Sequence, residues 1–162
     1  MVVFAIIMLG VLTGPANRIQ LNRQELLVQT EAFNTGSELA QELIEEILTR
    51  KFDEKFCGPG ELTNDVNNFS TTLGLDAGED STNMSTFDDV DDFNGYHNTV
   101  PTPRLGTFKN TCKVYFVADT SPDAVSGAKT FFKRVDVKIW NKYISTADST
   151  ISMSKIISYR YR

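Results

Sequence analysis

Residues 1–52 read MVVFAIIMLGVLTGPANRIQLNRQELLVQTEAFNTGSELAQELIEEILTRKF, and this stretch decides the fold. The first twelve residues carry no polar side chain, and no charge appears before Arg18. From there apolar residues recur at helical spacing. Ile19, Leu26, Phe33, Ala40 and Ile47 fall every seven residues, with Leu39, Leu43 and Ile44 on the same side. Such a repeat lays an apolar stripe along one face of a helix. Arg18, Arg23, Glu25, Glu31, Glu38, Glu42 and Glu45 occupy other faces. A single helix through Phe52 would measure roughly 75 Å, while a small domain is only about 30 Å across. Half of such a helix must project. A projecting, wholly apolar half needs lipid or other copies of itself.

Working outward, the same stretch contains its own weak points. Gly10, Gly14 and Pro15 interrupt the apolar half, and a proline removes one helical hydrogen bond while crowding the preceding turn. A kink or an unwound stretch is expected around residues 11–16. Gly36 is a second weak point, followed by Ser37, which can cap a restarted helix. Glu46 and Arg50 form a favourable i,i+4 pair. Glu38, Glu42 and Glu46 form an acidic ridge that either solvent or a partner must accommodate.

The amino terminus lacks the basic n-region and the small-residue cleavage site of a secretory signal. Twelve apolar residues also fall short of the roughly 20 that span a bilayer. The run is therefore expected to belong to a longer apolar segment. The competing reading is a buried core helix of a soluble protein.

The 162 residues suffice for one domain with a real core, and a composition 41% hydrophobic and 23% charged is that of a folding chain. A net charge of −5 argues against general nucleic-acid binding, which wants a basic stripe. Only two cysteines occur, Cys57 and Cys112, 55 residues apart, which is not metal-ligand spacing. They are expected to form one disulfide in an oxidising compartment, with two unpaired buried thiols as the alternative.

MVVFAIIMLG resembles the interior of the amino-terminal helix of type IV pilins and type II secretion pseudopilins. A proline commonly follows in that helix near the place of Pro15. SELAQELIEEILTRKFDE is similar to the helix's second half in subunits of the mannose-sensitive-pilus and minor-pilin type, and FDDVDDFNGY, residues 87–96, resembles a loop motif of the same proteins. Together with the carboxyl-terminal strand order, the resemblance covers most of the chain. One departure stands out: the family's glutamate would precede Met1, and no glutamate occurs here before Glu25.

The resemblance implies a structural subunit of a type IV pilus-like extracellular filament that polymerises through Met1, Val2, Val3, Phe4, Ile6, Ile7, Met8, Leu9, Val11 and Leu12. It implies residence in the inner membrane before assembly, then a place in a surface filament. The implied partners are further copies of the chain, the inner membrane, a prepilin peptidase and the pilus assembly machinery. A minor pseudopilin of a type II secretion system is the alternative within that class. A membrane-anchored binding module that never polymerises is the alternative outside it.

After Phe52 the chemistry changes. Residues 53–85 are rich in Gly, Asn, Ser and Thr, which is turn and loop chemistry. Asn68 and Asn83 each open a glycosylation acceptor pattern. Asp88, Asp89, Asp91, Asp92 and Asn94 offer oxygen ligands for calcium, although not at EF-hand spacing. The blander reading is a turn whose Asp and Asn cap local backbone, with Phe87, Val90 and Phe93 anchoring it to the core. His97, the only histidine, has no second histidine or nucleophile in sequence reach and reads as a loop residue. Pro101 and Pro103 mark an extended segment.

From Thr107 the pattern is strands. CKVYFVAD alternates, with Val114, Phe116 and Ala118 on one face. TFFKRVDVKIW alternates more clearly, with Phe131, Val135, Val137 and Ile139 opposite Arg134, Asp136 and Lys138, and TISMSKIISYRY is strand-prone. TSPDAVSGAK between them reads as a turn-rich connection. Alternation with short connections argues an antiparallel sheet with one face on the core.

The expected class is therefore α+β and pilin-like: a long amino-terminal helix, apolar then amphipathic, packed on a small antiparallel sheet. Residues 1–52 form the helix, with 1–17 as filament core or membrane anchor. Residues 53–162 form a globular head, a loop region over 53–106 and the sheet over 107–162. No phosphate-cradling glycine loop, GxSxG or His/Cys cluster is present, so neither an enzyme nor a cofactor is expected.

Overall fold

The computed structural model describes the backbone of residues 2–55, 63–81 and 83–159. Within the first helix it describes the side chains of Arg18 and of residues 20 onward. One α-helix, α1, runs Val2–Thr49. Five strands follow: β1 His97–Thr102, β2 Gly106–Ala118, β3 Ser121–Val125, β4 Phe132–Trp140 and β5 Thr150–Ser158. The molecule is an α+β protein with the long helix packed on a five-stranded antiparallel sheet.

α1 carries 48 residues, so its axis is about 72 Å long. The helix is continuous through Gly10, Gly14 and Pro15. The unwound stretch expected there does not occur in the single chain, because the missing amide costs one bond while the turns on either side keep theirs. Gly36 does not interrupt the helix either, and Ser37 does not cap a restart. The Ser37 hydroxyl instead donates back to the Phe33 carbonyl at 2.8 Å.

The face of α1 that meets the sheet is Ala32, Gly36, Ala40, Leu43, Ile44 and Ile47, all buried, with Val28 and Leu39 half-buried. Leu26 and Phe33, expected on this face, are exposed. The reason is geometric. A straight α-helix drifts by about 20° per heptad against a seven-residue repeat. Phe33 is therefore turned off the face that Ala32, Gly36 and Ala40 present to the sheet, while Leu26 lies before Val28, where no sheet stands opposite the helix. Gly36 marks the closest approach: a methyl group there would lie 2.8 Å from Ile151 Cδ1 and 3.4 Å from Ile144 Cδ1.

The sheet runs in the order β1-β2-β4-β5, with β3 paired to the far end of β2. It begins at His97 rather than at Thr107, within the segment expected to be loop. β1 is an edge strand, and an edge tolerates Pro101 because its outer side needs no ladder donor. The connection expected between β2 and β4 contains β3, joined through a register shift at Val117/Ala118.

Inward residues alternate along β2 as Phe108, Asn110, Cys112, Val114 and Phe116, and along β4 as Lys133, Val135, Val137 and Ile139. Two of these, Asn110 and Lys133, are polar.

Candidate assembly surface and acidic loop

Arg18 and residues 20–27 are all exposed, so α1 has left the sheet before Val28. Leu21, Leu26 and Leu27, on the emerging part of the helix, and Phe33 beyond it are each at least half exposed. A head cut at Thr30 would lose Val28, which packs against the core.

The apolar set Val2, Val3, Phe4, Ile6, Ile7, Met8, Leu9, Val11 and Leu12 lies on the helical backbone, with its side chains outside the described residues; Met1 lies outside them altogether. Among the described residues no helix is long and apolar enough to cross a membrane.

FDDVDDFNGY clasps the end of the helix. Phe87, Val90, Phe93 and Tyr96 are all buried, and the rings of Phe87 and Phe93 meet edge-on at 4.9 Å. The Lys51 amide donates to the Asp88 carbonyl, and the Val90 amide donates to the Lys51 carbonyl at 2.9 Å. Phe69, Phe52 and Tyr159 form a second aromatic cluster beneath the helix end, with centroids 5.0–5.4 Å apart.

The five oxygen-bearing residues proposed as calcium ligands are divided by the fold. Asp89 is fully buried, and its oxygens accept from the amides of Glu54 at 2.7 Å and Asp91 at 2.6 Å. Asp91 turns inward to the Lys133 ammonium. Asn94 braces β2, accepting from the Val114 amide at 3.2 Å and donating to the Leu73 carbonyl at 2.9 Å. Only Asp88 and Asp92 remain together, joined by Glu79, which sequence spacing did not suggest.

Oxygens of Glu79, Asp88 and Asp92 lie within 4.8 Å of one another. Three such ligands are about half of the six to eight oxygens that calcium takes. Burial, and then the Asp92 carboxylate beside it, pushes Glu79 up to about 7. Asp92 also accepts the amides of Asp88 and Asp89, as a turn-capping carboxylate does.

The strand alternation sets the inward position of Lys133. Lys133 shares the parity of Val135 and Val137, so the same alternation that buries them buries it. It is fully buried, donates to the Phe52 carbonyl, and lies 3.8 Å from Asp53 Oδ2 and 4.3 Å from the Phe52 ring centroid. Asp53 in turn accepts the Ser70 amide at 2.9 Å. One ammonium thus joins the helix end, the acidic loop and β4.

Cys112 is a buried free thiol on β2. Cys57, its expected disulfide partner, lies outside the described residues. His97 is exposed at the start of β1, with Nδ1 3.2 Å from the Gly95 carbonyl. Asn83 Oδ1 accepts from the Ser85 amide and hydroxyl, and Asn68 Nδ2 donates to the Thr63 hydroxyl. No protein-family model, curated protein or solved structure matches the chain.

Proposed function

We propose that this chain is a structural subunit of a type IV pilus-like extracellular filament and polymerises through α1. The observation that carries this reading is the departure of the helix from the sheet before Val28, with Leu21, Leu26 and Leu27 exposed beyond it. Residues 2–12, all apolar, continue the same helix. Exposed apolar surface of this extent marks an interaction site. Burying each large side chain contributes about 1.5–3 kcal/mol relative to water. A bundle of helices from several copies covers all faces of an apolar rod, which one partner surface cannot.

In this reading the apolar half waits in the inner membrane and a prepilin peptidase processes the chain. The assembly machinery then transfers the helix into a core of identical helices on the cell surface, with the sheets outside.

The test is Ile6→Lys. Filaments sheared from cells should disappear, while a head fragment beginning at Arg23, which keeps Val28, stays folded by circular dichroism. Wild-type amounts of filament from Ile6→Lys would overturn the bundled core and favour an anchored binding module. Incorporation at only a few copies per filament would identify a minor pseudopilin.

A further inference from the structure

The face of the sheet turned away from α1 is basic. Along β2 it carries Thr107, Lys109, Thr111 and Lys113, all exposed, so hydroxyl and ammonium groups alternate. Lys138 on β4, also exposed, lies directly across from Thr111. That register sets it diagonally between Lys109 and Lys113, roughly 7–8 Å from each. Lys109 and Lys113 are themselves roughly 13 Å apart, at about 3.3 Å per residue of strand. Two depressions, of about 340 and 170 Å³, flank Thr111, one against Lys109 and the other against Lys113 and Lys138.

None of these three lysines pairs with a carboxylate among the described residues. Asp136 lies across from Lys113, but Arg134 holds it, with Nε and Nη2 each 3.0 Å from a carboxylate oxygen. Three ammonium groups thus stand together without a counter-charge, on a chain whose net charge is −5. Like charges this close on one sheet face repel each other. An anionic partner relieves that repulsion.

We propose that this face of the sheet binds an acidic polysaccharide. Carboxylates of the polymer meet Lys109, Lys113 and Lys138, and its sugar hydroxyls bond to Thr107 and Thr111 between them. A polymer with hydroxyls between sparse charges matches a face built the same way. Single-stranded nucleic acid fits less well, because it needs open aromatic faces for base stacking. Trp140 and Tyr115 each already hold a cation near the ring, Lys109 Nζ at 5.1 Å and Arg134 Cζ at 5.4 Å from the centroids. Arginine, which suits phosphate by its bidentate fork, is tied here to Asp136. The face belongs to the single chain and does not rest on the assembly reading. A filament would repeat it and raise the affinity by multivalency.

Trp140 is the only tryptophan, so its fluorescence reports on this face. The experiment titrates hexagalacturonate into the full chain in nonionic detergent at low salt. A saturable change with a Kd on the order of a millimolar is expected. It should vanish at about 1 M salt, where the screening length falls to about 3 Å. Maltohexaose, which lacks the charge, should not bind. Lys113→Gln and Lys138→Gln should each weaken binding about twofold to fivefold, as for exposed charges, with an unchanged melting temperature. Thr111→Val should weaken it by a similar factor through the lost hydrogen bond.

Absence of a saturable change, or wild-type affinity when Lys113→Gln and Lys138→Gln are combined, would overturn the proposal. Tighter binding of an oligothymidylate of equal charge would overturn it in favour of nucleic acid. Equal binding of maltohexaose would show that charge plays no part and would overturn it as well. Filaments do not enter the titration. If the chain forms none under any condition, the assembly reading fails, and the titration still decides the basic face.

Discussion

Lys133 and Asp91 form an ion pair in which neither side chain reaches solvent, at 0% and 1% exposure. Asp53, fully buried, lies 3.8 Å from the same ammonium. Removing one member of such a group leaves buried charge without compensation, at a cost of about 3–5 kcal/mol. Lys133→Met should therefore destabilise the head by about that amount in urea denaturation. The double variant Lys133→Met with Asp91→Leu should recover part of the loss. Equal stability of Lys133→Met and wild type would mean that the cluster contributes nothing.

The acidic loop should make stability depend on pH. Burial, and then the neighbouring Asp91 carboxylate, pushes Asp89 up to about 8. Burial pushes Asp91 up to about 6 against the pull of Lys133. Between the ordinary carboxylate range near pH 4 and these raised values, the folded chain holds protons that the unfolded chain has lost. Stability is then full below about pH 4 for these two groups and falls as pH rises through 6 and 8. Asp89→Asn mimics the protonated form and should flatten the upper part of the curve. It also leaves the Glu54 amide facing a donor, so its stability near pH 5 should be lower by about 1–3 kcal/mol. An unchanged slope in Asp89→Asn would assign the pH dependence elsewhere.

Gly36 should tolerate only the smallest enlargement. Alanine gains about 1 kcal/mol of helix propensity over glycine. That gain offsets a push on Ile151 Cδ1, the flexible end of its side chain. Gly36→Ala is expected within about 1 kcal/mol of wild type. Gly36→Leu cannot be absorbed against Ile144, Ile151 and Phe108, and should cost about 1–3 kcal/mol by overpacking. Thermal denaturation of the two variants side by side checks the close approach of helix and sheet.

The Cys112 thiol should be inert in the folded chain. Burial, and then the Asp136 carboxylate, pushes it up to about 12. At pH 8 its thiolate fraction is then lower by about a thousandfold than that of a free thiol with pKa near 8.5. Reduced protein treated with iodoacetamide should show Cys112 unmodified until denaturant is added, as read by peptide mass. Rapid labelling of Cys112 in the native state would contradict its burial.

Much of the architecture follows from periodicity. The helix is legible because its apolar and polar residues alternate at a spacing set within four residues. β2 and β4 are legible because theirs alternate within two, and β5 because its residues are strand-prone. The position of Lys133 on the apolar face was available from the same count, although a charged residue there runs against expectation. β1 was hidden because Pro101 and a run of polar residues resemble loop, and only the pairing with β2 makes them a strand.

What residues 1–52 carry by themselves is a helix long enough to leave its domain, wholly apolar at one end. What they do not carry is which side of that helix meets the sheet. A seven-residue repeat and the 3.6-residue turn differ by about 20° per heptad. The sheet decides where along the helix they agree and where the packing ends, so Ala40 and Ile47 are buried, Phe33 is turned out, and Leu26 lies beyond the sheet.

The ion cluster lies further beyond local pattern. Asp53, Asp91 and Lys133 are separated by about 40 residues at each step. Their meeting depends on the path of the loops between them. Burial then settles their chemistry: a carboxylate that would be solvated on an open turn must find Lys133, hold a proton, or accept backbone amides once water is excluded.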